Sequence, residues 1–281
     1  MYKKSVPVLM YHHVRPEAGM IACTPENFED QLQWLQKHGY RSLTLSEFAQ
    51  HLQGKDVGKA VLITFDDGYL DNWVYAFPLL FKYQFKATIF LVTSWLQNGS
   101  IRPYSGQGEV LPDCPEHYAC EALIEQGKSD EVILRWSEVH AMRDSGLVEF
   151  HSHTDTHTRW DLLLPNEKNI RIRQELERSR ATLQTELGEA SPHLCWPQGY
   201  FDEDYIAIAR DVGFDYLYTT LAFGRNTRNT LASHIHRFAV RNRPGKTLGK
   251  RILSGHHPVI GPLFNTTKIW SRRLRNRPDF K

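Results

Sequence analysis

The stretch Ala60-Val61-Leu62-Ile63-Thr64-Phe65-Asp66-Asp67-Gly68 runs from an apolar tract into two adjacent carboxylates and a glycine. Its apolar part reads as a strand buried on both faces, as in a parallel sheet. Successive strand side chains point to opposite faces, so a tight bend at Gly68 is needed to bring both carboxylates to one site. Two carboxylates at the end of a buried strand are costly unless a cation receives them. One can then bind a metal while its unliganded neighbour takes a proton from metal-bound water. A solvated Asp-Asp-Gly turn between a strand and a helix is the plain alternative.

The flanking sequence repeats a strand–helix rhythm. Val6–Tyr11 reads as a first strand that delivers His12 and His13 at its carboxyl end. Thr24-Pro25 supplies the N-cap and first-turn proline of a helix that Gly39 stops. A short strand at 42–45 leads to a helix capped by Ser46. After the Asp-Asp pair comes a helical stretch interrupted at Pro78, then a strand at 87–92. Ser137 caps a helix ending near Gly146, and 148–150 is a strand running into His151. A long helix covers about 166–187, with Ile170, Leu176, Leu183 and Leu187 facing inward. Strands at 194–196 and 216–219 flank a helix at 202–212, and 235–240 is the last strand. The expected fold is α/β, a single (β/α) barrel that uses most of the 281 residues. Residues 93–135 break the rhythm and read as a long loop insertion, a lid or rim with a short helix near 119–126. The barrel domain is expected over 1–265 and a basic tail over 266–281.

In such folds active sites gather at the carboxyl ends of strands. Asp66 and Asp67, His12 and His13, the histidines after Phe150 and the loop after Trp196 all fall at that rim.

Net charge is +2, so global electrostatics do not suggest nucleic acid. Cys23, Cys114, Cys120 and Cys195 form no CxxC pair, which fits neither a zinc ribbon nor a dense disulfide frame. No apolar run approaches the roughly 18 residues of a membrane span. The basic start lacks a small-residue cleavage site, so a cytoplasmic protein is expected unless a leader was trimmed. The tail, with Trp270 and Leu274 among its cations, reads either as a solvated helix end or as a weak contact to the inner membrane face.

His153 and His157 stand four residues apart in His151-Ser-His-Thr-Asp-Thr-His157. That spacing places two imidazoles on one face of a helical turn. With Asp67 they make a three-ligand site that leaves positions open for water and substrate, as catalytic zinc requires.

Thr64-Phe-Asp-Asp-Gly68 together with His153-Thr-Asp-Thr-His157 resembles the signature of the polysaccharide deacetylase family (NodB homology, carbohydrate esterase family 4). Trp196-Pro197-Gln198-Gly199 is similar to the family's third motif. The resemblance covers most of residues 6–220. It implies a distorted (β/α) barrel and metal-dependent removal of N-acetyl groups from amino sugars. By the same resemblance Asp66 is the general base, and Asp67, His153 and His157 hold Zn2+ or another divalent ion such as Co2+, Ni2+ or Mn2+. Some relatives begin with a Tyr-His pair, which Tyr11-His12 resembles, so His12 is the expected general acid while His13 points into the barrel wall. The backbone N–H near Gln198, after Trp196 and Pro197, would bind the oxyanion.

Two departures from the family pattern stand out. Cys195 occupies the place of an arginine that holds the base carboxylate in many relatives, leaving Arg237 and Arg241 as candidates for that task. Gln198 replaces a tyrosine. Asp161 binds sugar or caps a turn, and His256-His257 read as a solvated turn or as a late acid histidine. The expected substrate is an acetylated amino sugar, nucleotide- or lipid-linked, in surface-polysaccharide or lipopolysaccharide synthesis. A cyclic imide or ureide hydrolase and a non-catalytic carbohydrate-binding relative are the other readings.

Overall fold

The computed structural model describes residues 5–189 and 191–275. Strand β1 (Val8–Tyr11) is followed by β2 (His13–Val14), which pairs with β3 (Ala22–Cys23) in a small parallel sheet. Helix α1 (Pro25–Lys37), strand β4 (Arg41–Ser42), helix α2 (Leu45–Leu52) and strand β5 (Ala60–Phe65) lead to the acidic turn. A π-helical turn (Asn72–Ala76) and α3 (Phe77–Tyr83) precede β6 (Ala87–Leu91). Next come α4 (His117–Glu125), α5 (Trp136–Asp144), β7 (Val148–Ser152), α6 (Trp160–Leu163) and α7 (Lys168–Leu187). Strand β8 (His193–Cys195), α8 (Glu203–Val212), β9 (Tyr216–Tyr218), β10 (Phe238–Ala239), α9 (Gly245–His256) and α10 (Ile260–Arg275) complete the chain.

The main sheet is parallel in the order β10-β1-β5-β6-β7-β8-β9, with β4 beside the start of β5. Ile235 bridges to Tyr218 of β9 while β10 pairs with β1, so residues 235–240 touch both ends of the curled sheet. Strand alternation sorts the core into two layers. Val8, Leu62, Phe90, Cys195 and Tyr218 pack inside the curl. Leu9, Val61, Ile63 and Ile89 face outward against Phe28, Leu32 and Leu35 of α1 and their neighbours. Even-numbered β5 residues therefore lead inward, toward Asp66.

Several local expectations change. Thr44, not Ser46, caps α2: its hydroxyl accepts from Glu47 N–H while the Glu47 carboxylate accepts from Thr44 N–H. The helical stretch after the acidic bend changes from π to α register just ahead of Pro78, which lies in the first turn of α3. At α5 the Glu138 carboxylate accepts from Arg135 N–H, and Ser137 sits inside the helix with its hydroxyl buried and unpartnered. Ile170 of α7 points outward, 63% exposed, while Ile172, Leu176 and Leu183 face the core.

The insertion is clamped to the barrel. Arg102 pairs with buried Glu138 and also donates to the carbonyls of Asp130 and Ile133. The Trp73 indole donates to Arg102 O at 2.7 Å. Helix α10 runs across the expected boundary between the barrel at 1–265 and the tail at 266–281, and Asn265 is buried against Gly255 O. Residues 276–281 of that tail lie outside the described residues. No described helix is long and apolar enough to cross a membrane.

Candidate active site

The bend after β5 is built from consecutive left-handed residues, Asp67 at φ 74° and Gly68 at φ 80°. A Cβ on Gly68 would lie 2.8 Å from Leu91 Cδ2, so glycine is required by both conformation and space. The bend brings both carboxylates to one end of the curl, each nearly fully buried.

Asp67 Oδ1 faces Nε2 of His153 at 3.3 Å and Nε2 of His157 at 3.5 Å. That oxygen is buried and has no hydrogen-bond partner among the described residues. His153 Nδ1 donates to Cys195 O at 2.8 Å, which leaves Nε2 free to be a ligand. Burial pushes the His157 imidazole down to about 4 against the pull of Asp67, so it is neutral at pH 7 and has a lone pair to offer. These three side chains form a group that can hold a metal ion, and an orphaned carboxylate oxygen between two imidazoles fits a divalent cation. Asp66, His153 and Cys195 also lie close together, but both Asp66 oxygens already bind an arginine.

The two histidines do not share a helical turn. They lie in a loop after β7, with Thr154 and His157 both left-handed (φ 69° and 62°). Buried Glu175 of α7 ties this loop down, accepting from the N–H groups of Asp155 and Thr156 and from the Thr156 hydroxyl. Asp155 in turn binds the Thr93 hydroxyl and Arg178.

Arg237 grips Asp66 with both guanidinium nitrogens, at 2.6 and 2.8 Å, and donates to Thr219 O at 3.0 Å. Burial works to raise the Asp66 pKa, but Arg237, with His153 and His12 beside it, holds the carboxyl below the usual range. Arg237 Nη2 lies 2.9 Å from Cys195 Sγ, so the short cysteine leaves room for an arginine arriving from another strand.

His12 Nε2 is 3.8 Å from Asp66 Oδ2. Burial lowers its pKa, while the carboxylates of Asp66 and Asp67 pull it up. Asn72 of the π-helical turn donates to His12 O at 2.8 Å and fixes its backbone. His13 points into the wall, fully buried, stacked on Tyr69 and 2.6 Å from Asp71 Oδ2.

In the turn after β8, Gln198 is left-handed (φ 52°) and its side chain accepts from Arg159. Pro197 is buried. The Trp196 side chain belongs to a core cluster with Phe201 and Tyr205 and not to the open site. Asp161 is paired with Arg159 through two hydrogen bonds in the first turn of α6. His256 ends α9, bonded to the Ser5 hydroxyl, and lines a cavity with Lys59 and Ala60 at the amino end of β5. That is the end of the sheet away from Asp66, which removes it as an acid histidine.

The sequence reading missed Glu175, Asn72 and Asp71. Glu175 lies in a run of charges where only its burial separates it from exposed Glu177.

The sequence model described as Polysaccharide deacetylase matches residues 53–217. The chain belongs to the polysaccharide deacetylase family. YxkH of Bacillus subtilis, named after the same family, is 28% identical over 85% of this chain and 72% of its own length. The poly-β-1,6-N-acetyl-D-glucosamine N-deacetylase of Staphylococcus epidermidis is 26% identical over 77% of this chain and 73% of that protein. The Escherichia coli protein of that name is 24% identical over 88% of this chain, which spans only 38% of it. Among solved structures, the Streptococcus pyogenes deacetylase PplD superposes with a TM-score of 0.69 at 22% identity, covering 89% of this chain and 98% of that one. IcaB from Ammonifex degensii gives a TM-score of 0.69 at 23% identity over 89% and 97%. These two likenesses show the polysaccharide deacetylase barrel.

Proposed function

We propose that this chain removes an N-acetyl group from an amino sugar within a glycan or glycan precursor, with a divalent metal, zinc first among the candidates, held by Asp67, His153 and His157. The observation that carries this reading is the orphaned Asp67 oxygen facing two imidazoles, with an arginine-held carboxylate beside it and an imidazole 3.8 Å beyond. A divalent ion in that place supplies Lewis acidity, polarising the acetamide carbonyl and making water more acidic.

Asp66, kept ionised and oriented by Arg237, accepts the proton of the attacking water. Its pairing with Arg237 keeps it from serving as a ligand. His12 gives a proton to the departing nitrogen. Once Asp66 is protonated, the charge that favours the His12 imidazolium is gone, so His12 becomes a stronger acid as the amine leaves. The backbone N–H of Gln198, in the turn after β8, is assigned the support of the oxyanion. Arg237 grips Asp66 beside Cys195, the residue that replaces the family's arginine, which supports the catalytic reading over a non-catalytic one. The names of the Escherichia coli and Staphylococcus relatives support an N-acetylglucosamine polymer as the first substrate to try.

The test is acetate release by protein loaded with zinc, cobalt, nickel or manganese, wild type beside Asp66→Asn. The panel covers N-acetylated oligosaccharides, nucleotide sugars, lipid-linked sugars and a simple acetyl ester. Release by wild type, reduced about 10²–10⁴-fold in the variant, is expected. Equal release by both proteins would show that Asp66 is not the base.

A further inference from the structure

A groove of about 440 Å³ opens directly beside His12, floored by Met10 and Ala239 and flanked by Arg241, Asn242 and Arg243. Its position follows from the strand register. Leu9 pairs with Phe238 and Met10 with Ala239, and Val240 N–H donates to Met10 O at 2.9 Å. Alternation then puts Ala239 on the face of Arg237, which grips Asp66, and Arg241 lines the groove just beyond the paired residues. The same rule puts His12 on the face of Met10. The groove is therefore the outward continuation of the catalytic face.

The backbone that carries the two arginines is firmly held. Buried Gln31, itself bound by the Tyr11 hydroxyl, donates to the carbonyls of Arg241 (3.4 Å) and Arg243 (2.6 Å). Asn242 Oδ1 accepts from Thr24 N–H and Asn27 Nδ2. Their guanidinium groups have no carboxylate partner among the described residues, whereas Arg159, Arg178 and Arg237 at the same end of the barrel each have one. None of the described residues that line the groove is acidic. A concave site with cations of one sign and no counter-charge concentrates anions, and guanidinium binds carboxylate or phosphate through paired hydrogen bonds.

We propose that this groove is a subsite for an acidic group, a carboxylate or a phosphate, on the unit joined to the acetylated sugar. The inference rests on the deacetylase reading for the position of that sugar. It narrows the substrate from the N-acetylglucosamine polymer that the relatives' names suggest to a glycan or precursor that also carries an acidic group.

Binding to metal-stripped full-length protein tests this without turnover. The ligands are an N-acetylglucosamine–glucuronate disaccharide, N-acetylglucosamine 1-phosphate and neutral N,N′-diacetylchitobiose, each titrated against wild type and against the double variant R241Q/R243Q. At least one acidic ligand is expected to bind about tenfold or more tighter than the neutral one. That preference should vanish in the double variant and shrink as salt rises from about 0.05 M to about 0.5 M. Preference for the carboxylate would point to an acidic polysaccharide, and preference for the phosphate to a phosphorylated precursor. Equal affinities, a preference that survives R241Q/R243Q, or no binding of either acidic ligand would overturn the proposal. Acetate release is scored separately, so a wild type that binds anions but releases no acetate would defeat the deacetylase reading alone.

Discussion

Asp66 and Arg237 are 171 residues apart in the chain and 2.6 Å apart in the fold. The pair is fully enclosed, so removing one partner strands a charge in a dry site. Arg237→Met is expected to destabilise the protein by about 3–5 kcal/mol, read as a lowered denaturant midpoint. Misplacing the base should also cost about 10²-fold in kcat, while the metal content stays at one equivalent because Arg237 touches none of the three ligands. Loss of metal together with activity would mean that Arg237 supports the metal group itself. Chelation should abolish acetate release in wild type. His157→Gln should weaken metal retention, read by competition against a chromogenic chelator.

Among elements, the loop after β7 bears two of the three ligands, and α7 holds it in shape. Glu175 is the clip: it meets two N–H groups, one hydroxyl and Arg178. Glu175→Ala should lower metal affinity about 10–100-fold, the usual cost of losing an outer support of a metal site, with a smaller effect on the unfolding midpoint than Arg237→Met. Thr44→Ala offers a contrast within the same barrel. It deletes the cap of α2, which lies beside the starts of β6 and β7, so it should cost about 1 kcal/mol of stability and leave metal affinity at the wild-type value.

For the whole molecule, buried neutral histidines such as His256 contribute to the loss of stability in acid. His256 is pushed down to about 3, first by burial and then by the cations Arg251 and Arg225. In the unfolded chain the same imidazole titrates near about 6.5. Between those values the unfolded state binds a proton that the folded state refuses, so stability rises with pH there. It is lost progressively as pH falls from about 6.5 toward 3. Urea midpoints measured across that window should drop with acid, and His256→Gln should flatten the slope. An unchanged slope would show that His256 is protonated in the native state.

The amino-acid sequence by itself determined the strand–helix rhythm, the acidic bend and the candidate ligands Asp67, His153 and His157. Each rests on local physics: a fully apolar run before two carboxylates, a glycine where φ must be positive, and motifs whose residues are close in the chain. Helix starts were legible where a cap stood alone, as at Thr24, and misplaced where two hydroxyl residues competed, as with Thr44 and Ser46. What holds Asp66 was left between two arginines, because a partner 171 residues away carries no local signature. Glu175 was invisible for a related reason, since burial alone separates it from its charged neighbours. Only the tertiary structure turned Trp196 into the core, His13 into the wall and His256 to the far end of the sheet. It also joined residues 235–240 to both edges of the curl. There, strand alternation delivers Arg237 to the base, with Arg241 lining the groove just beyond, because pairing between the first and last strands exists only once the chain has closed on itself.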